Sequence, residues 1–152
     1  MFDPWRYVGV SDPFAPYPNP VQNQKKDSEK LRNKKATVLV VDDERVIADS
    51  MTEILKRSGF NAVCAYDGLS GLELALRVHP DFVVSDVVMP HMNGVQLAIA
   101  IRKALPATEI LLLSGQAGIT EIVEGGRKEG FLFELIAKPI HPEKLLQRLR
   151  ML

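Results

Sequence analysis

From Ala36 onward, short runs of β-branched and aliphatic residues alternate with longer amphipathic stretches. No other feature limits the fold as strongly, because strands separated by helices pair in parallel and need helices on both faces to cover them. The strand runs are Thr37 to Val41, Ala62 to Tyr66, Phe82 to Ser85, Glu109 to Leu113 and Leu135 to Ala137. After the first, Val46, Ile47, Met51, Ile54 and Leu55 recur at helical spacing, and Ser58-Gly59 supplies a left-handed cap. Further helices are expected from about Ser70 to Val78, from Val95 to Leu105, from Ile119 to Glu129, and from Pro142 through Leu149. The one holding Gly125-Gly126 is the weakest by propensity. The pattern predicts an α/β domain over residues 36–152, with a doubly wound, five-stranded parallel sheet at the centre of a three-layer sandwich.

Residues 1–35 follow a different rule. Pro4, Pro13, Pro16, Pro18 and Pro20 lie among Phe2, Trp5, Tyr7, Phe14 and Tyr17 with no period, and a polar stretch from Lys25 to Lys35 follows. Prolines at that density exclude a hydrogen-bonded element, and so polar a stretch does not offset the entropy of ordering. A flexible arm and linker is expected there. The chain's 19 basic residues equal its 19 acidic ones, so it lacks the positive field of a protein built to bind nucleic acid or acidic membrane. Cys64 is the single cysteine and is expected in the core, in a reducing compartment. With no leader-like start and no long apolar run, a cytoplasmic protein without membrane insertion is predicted.

Right-handed crossovers bring the loops after the strands to one edge of the sheet. Asp42, Asp43 and Glu44 follow the first strand, Asp86 the third, Ser114 the fourth and Lys138 the fifth. Three aspartates and one lysine leave a formal charge of −2, which a divalent cation would balance. Oxygen donors without thiolate or paired imidazole suit Mg²⁺ or Mn²⁺. An aspartate beside such a cation can act as a nucleophile toward phosphorus. Taken singly, Asp42-Asp43 is an ordinary helix cap, and Ser114-Gly115 an ordinary turn. The conjunction at four strand ends is what points to chemistry. His79, His91 and His141 form no cluster and are expected to face solvent.

The segments Val40-Val41-Asp42-Asp43-Glu44 and Asp86-Val87-Val88-Met89-Pro90-His91-Met92-Asn93-Gly94, then Ser114 and Lys138-Pro139, resemble the receiver domains of bacterial two-component response regulators. The resemblance implies a flavodoxin-like (βα)5 arrangement with Asp86 as phosphoacceptor. It also implies that Asp43 and Asp86 ligate the metal directly, that Asp42 acts mainly through water, and that the Val88 backbone carbonyl adds an oxygen. Ser114 then matches the hydroxyl that turns toward the phosphoryl group, and Lys138 the lysine that pairs with it, before a cis Lys138-Pro139 bond. Pro90 and Gly94 would shape the loop. The implied partners are a sensor histidine kinase or phosphotransfer protein and a downstream protein target, with no direct contact to nucleic acid and with homodimer formation left open. A stand-alone switch is expected, not a metabolic enzyme.

Three alternatives stay open. A Mg²⁺-dependent phosphatase would place its aspartates two apart after the first strand, and a flavin- or nucleotide-binding protein would need a hydroxyl- or glycine-rich loop there. A receiver fold working as an interaction module without phosphorylation fits the same residues. One departure from the family is Leu135, three positions before the lysine, where an aromatic residue is usual. The fourth helix, weakened by Gly125 and Gly126, is therefore expected to carry the conformational change.

Overall fold

The computed structural model describes residues 34–115 and 119–152, so the arm expected over residues 1–35 lies almost wholly outside the described residues. The elements alternate as β1 (Thr37–Val41), α1 (Arg45–Arg57), β2 (Asn61–Ala65), α2 (Gly68–Val78), β3 (Phe82–Asp86), α3 (Gly94–Ala104), β4 (Glu109–Ser114), α4 (Ile119–Lys128), β5 (Glu134–Ala137) and α5 (Pro142–Met151). The strands form one parallel sheet in the order β2-β1-β3-β4-β5. Among the described residues, no helix is long and apolar enough to cross a membrane.

The inner strands are apolar runs because both of their faces are covered. On β1, Leu39 and Val41 enter one core with Val83, Leu97, Ile101 and Leu112, while Val38 and Val40 enter a second with Ala48, Leu55, Leu111, Leu145 and Leu149. The two-residue strand period thus splits one segment between opposite layers. At the sheet edge, β5 is only half covered, and Arg148 of α5 forks onto the Glu134 carboxylate with Nη2 2.6 Å from Oε2.

Most predicted boundaries hold to within a residue; α5 runs two residues past Leu149, and α2 differs at its start. It starts at Gly68, two residues earlier than expected, because Asp67 accepts the Ser70 N–H at 2.8 Å and caps it. Gly59 takes φ +96° after α1, as its cap position required. Cys64 departs from its expected place. It sits on the edge strand β2, only half-buried against the second core, with Sγ 3.6 Å from Asp49 Oδ1 and 3.7 Å from Tyr66 Oη, because among the described residues no further strand pairs on that side.

Candidate functional site

Strand register assembles the site. Val41 pairs with Ser85 on the adjacent central strands, so Asp42 and Asp86, each one residue further on, stand side by side at the C-terminal edge. Asp86 pairs in turn with Leu113, and Ser114 with Ala137, which brings Lys138 to the same edge. The Asp42 N–H donates to Ala65 O at 3.2 Å and the Lys138 N–H to Ser114 O at 2.8 Å, so the ladder holds both residues by their backbones. Lys138-Pro139 is cis, as the family resemblance implied.

The loop after Asp86 is held as tightly. The Val87 N–H donates to Leu113 O at 3.0 Å, and the Gly94 N–H returns to Val87 O at 2.8 Å. That return needs a glycine, since a Cβ at position 94 would lie 2.1 Å from the Asp86 carbonyl oxygen. A reciprocal capping box then fixes the start of α3. Asn93 Oδ1 accepts the Gln96 N–H at 2.8 Å, and Gln96 Oε1 accepts the Asn93 N–H at 3.0 Å.

One carboxylate oxygen from each of Asp42, Asp43 and Asp86 lies within 4.8 Å of the others. Lys138 Nζ stands 3.1 Å from Asp86 Oδ2 and 3.4 Å from Asp42 Oδ2. Asp42 is 2% exposed, and burial raises its carboxyl above the ordinary value of 3.8. The Glu44 N–H, which donates to Asp42 Oδ1 at 2.9 Å, and the Lys138 ammonium oppose that rise without cancelling it. Burial disfavours the ammonium of Lys138, yet hydrogen bonding and charge from Asp86, followed by Asp42, raise it above 10.5. Lys138 stays charged, and its one charge leaves the cluster of three carboxylates under-neutralised.

This oxygen-only donor set fits a small, hard divalent cation. Asp43 is exposed and Asp86 partly so, which leaves the cluster open to an ion and its waters. A cavity over Asp86 is lined by Glu44, Val88, Gly115 and Lys138, with Ile47, Met51 and Ile140 on its apolar side. Ser114 does not line it, although its backbone holds Lys138. The Val88 side chain is 57% exposed at the cavity mouth. Glu44 was expected at this edge with no role assigned to it, whereas Ile47 and Met51 had no place in the site expected from sequence. The helical period put Ile47 and Met51 on the inward face of α1, but it could not show that this face reaches the cavity.

The response regulator receiver domain model matches residues 38–150. The chain belongs to that family. It is 36% identical over 116 residues to the probable transcriptional regulatory protein TcrX of Mycobacterium tuberculosis, a match covering 76% of this chain and 49% of the relative. The response regulator MprA of Mycobacterium leprae is 32% identical over 115 residues, 76% of this chain and 50% of its own. The chain therefore spans about half the length of the curated relatives it matches. The solved chemotaxis protein CheY4 of Vibrio cholerae superposes with a TM-score of 0.68 at 30% identity, over 78% of this chain and 98% of that one. The receiver domain of AraT from Geobacillus stearothermophilus gives 0.65 at 28%, over 78% and 92%. Receiver domains are signalling switches of two-component systems, and the five-stranded parallel sheet is theirs.

Proposed function

We propose that this receiver accepts a phosphoryl group on Asp86 from the phosphohistidine of a sensor kinase or phosphotransfer protein, and that the modification changes its contacts with a downstream protein in the cytoplasm. The observation that carries the reading is the grouping of Asp42, Asp43 and Asp86 within 4.8 Å, with Lys138 3.1 Å from the Asp86 carboxylate. In the transfer, Asp86 Oδ attacks phosphorus, the P–O bond forms as the P–N bond breaks, and the imidazole leaves. Lys138, already charged, neutralises oxygens of the arriving group. Asp43 and Asp86 would hold Mg²⁺ or Mn²⁺ directly, with Asp42 through water and the Val88 carbonyl as a further donor. When bound, the cation supplies charge neutralisation at the phosphoryl oxygens. Ser114 would turn its hydroxyl toward the new phosphoryl group. Hydrolysis returns Asp86 to the carboxylate when water attacks phosphorus and the Asp86–phosphorus bond breaks.

Intact mass after incubation with acetyl phosphate and Mg²⁺ tests the reading. Wild type should gain one phosphoryl group and Asp86→Asn none. No gain in wild type, or an equal stable gain in the variant, would overturn it.

A further inference from the structure

Helix α3 touches three parts of the molecule. Its first residue, Gly94, sits against the peptide of Asp86 with no room for a Cβ. The next residue, Val95, is buried, and its Cγ1 lies 2.8 Å from where a Cβ on Gly126 would stand. Gly126 is buried within α4, and its carbonyl accepts the N–H groups of Glu129 at 3.2 Å and Phe131 at 3.0 Å. At the far end of α3, the Arg102 guanidinium stands 5.6 Å from the Phe133 ring centre and Lys103 Nζ 5.7 Å from that of Phe131. Those two rings stack with centres 6.1 Å apart and 3° between their planes. Leu97, Ala98 and Ile101 anchor the buried face of α3, and the capping box fixes its first turn.

We propose that α3 is the lever that carries the state of Asp86 to α4 and to the Phe131–Phe133 turn, with the Val95–Gly126 contact as its coupling point. The proposal rests on Asp86 being the phosphoacceptor. A displacement of the Asp86 peptide must be followed by Gly94, which has no clearance, and Val95 moves with it. The Val95 methyl occupies the space that a Cβ on Gly126 would take, so Gly126 offers no side chain between the two helices to absorb the shift. Packed contacts of that kind have discrete arrangements and pass a displacement on. Leu135, at the family's aromatic position, is 39% exposed and has no ring to reorient. Gly125 is the built-in control, because a Cβ there meets nothing within 4 Å.

Hydrogen exchange of the Ile119–Lys128 amides in the full chain tests the proposal, with and without Mg²⁺ plus beryllofluoride as an unreactive phosphoryl mimic. Phosphorylation of each variant by acetyl phosphate is followed separately by mass. The mimic should change α4 exchange in wild type. Gly126→Ala and Val95→Ala should each shrink that change by about threefold or more, and the double variant should recover much of it by fitting the smaller side chain against the added methyl. Gly125→Ala should slow exchange about fivefold in both states through helix propensity alone and keep the change. Because one single variant adds volume and the other removes it, misfolding of either leaves the other decisive. An α4 indifferent to the mimic in wild type, or a response untouched in both single variants, overturns the lever. Absence of phosphorylation in wild type overturns the Asp86 reading and the lever with it, whereas phosphorylation with unaltered coupling overturns the lever alone.

Discussion

Replacing Gly94 by alanine should damage both fold and chemistry, by an amount that the geometry sets. The new Cβ would stand 2.1 Å from the Asp86 carbonyl oxygen, whereas ordinary contact begins at 3.4 Å, so a gap of about 1.3 Å must open. Neither side yields cheaply. Asp86 ends a central strand whose pairing continues through the Val87 N–H to Leu113 O, and Gly94 is tied to Val87 O at 2.8 Å and to the Asn93–Gln96 capping box. Losing the Gly94 hydrogen bond costs about 1 kcal/mol and disrupting the cap about another 1. Residual overpacking adds about 1 to 3 kcal/mol, for a total of about 3 to 5 against the roughly 5 to 15 that holds a domain together. Chemistry should suffer as well, since a displacement near 1 Å at a reacting group costs on the order of 10²-fold in rate. Urea unfolding gives the first number, and the initial rate of mass gain with acetyl phosphate, at a temperature where both proteins are folded, gives the second. A stability loss under about 1 kcal/mol together with a rate within about threefold of wild type would refute the idea that this close approach sets the site.

Asp43→Ala should weaken Mg²⁺ binding by about tenfold or more while metal-free thermal stability holds or rises, because one repelling carboxylate is gone; calorimetric titration and a melting curve check the two halves. Lys138→Met should slow phosphoryl transfer on the order of 10²-fold in the same mass assay, since no other cation lies within salt-bridge distance of Asp86 among the described residues. The Asp42 carboxyl sits above its unfolded value of 3.8, so the folded state binds that proton more tightly. In metal-free protein its penalty is therefore present at neutral pH and fades as pH falls through the folded value. Asp42→Asn should accordingly stabilise the metal-free chain at pH 7, and the advantage should shrink in urea titrations as pH falls through the folded value toward 3.8. Lys138 shifts the other way in effect, because its raised value lends stability that is complete below 10.5 and is lost as pH climbs through the folded value.

The strand runs were legible because a buried parallel strand must be apolar over its whole length, and that constraint survives any change in the surroundings. The positions of Asp42, Asp86 and Lys138 followed from it, since the residue after each strand inherits its place from register. Ser114 ends β4 as expected, and Gly115 after it stands on the cavity wall. The start of α2 was missed for a local reason, since Asp67 three residues before Ser70 is a cap signal that the apolar period overshadowed. Cys64 was misplaced for a non-local one, because only the strand order reveals that β2 is an edge.

Gly126 shows why propensity and packing have to be separated. In sequence, Gly125 and Gly126 form one weak spot in a helix, each lowering its stability by roughly 1 kcal/mol relative to alanine. In the fold they differ in kind. Gly125 faces open space and only loosens α4, whereas Gly126 leaves room for the Val95 methyl, on the helix that follows the loop after Asp86. A helix loosened at one residue and seated directly on its neighbour at the next is easy to displace and is also mechanically connected to what displaces it. Helix propensity alone, which assigns both glycines the same cost, could have predicted the first property but not the second.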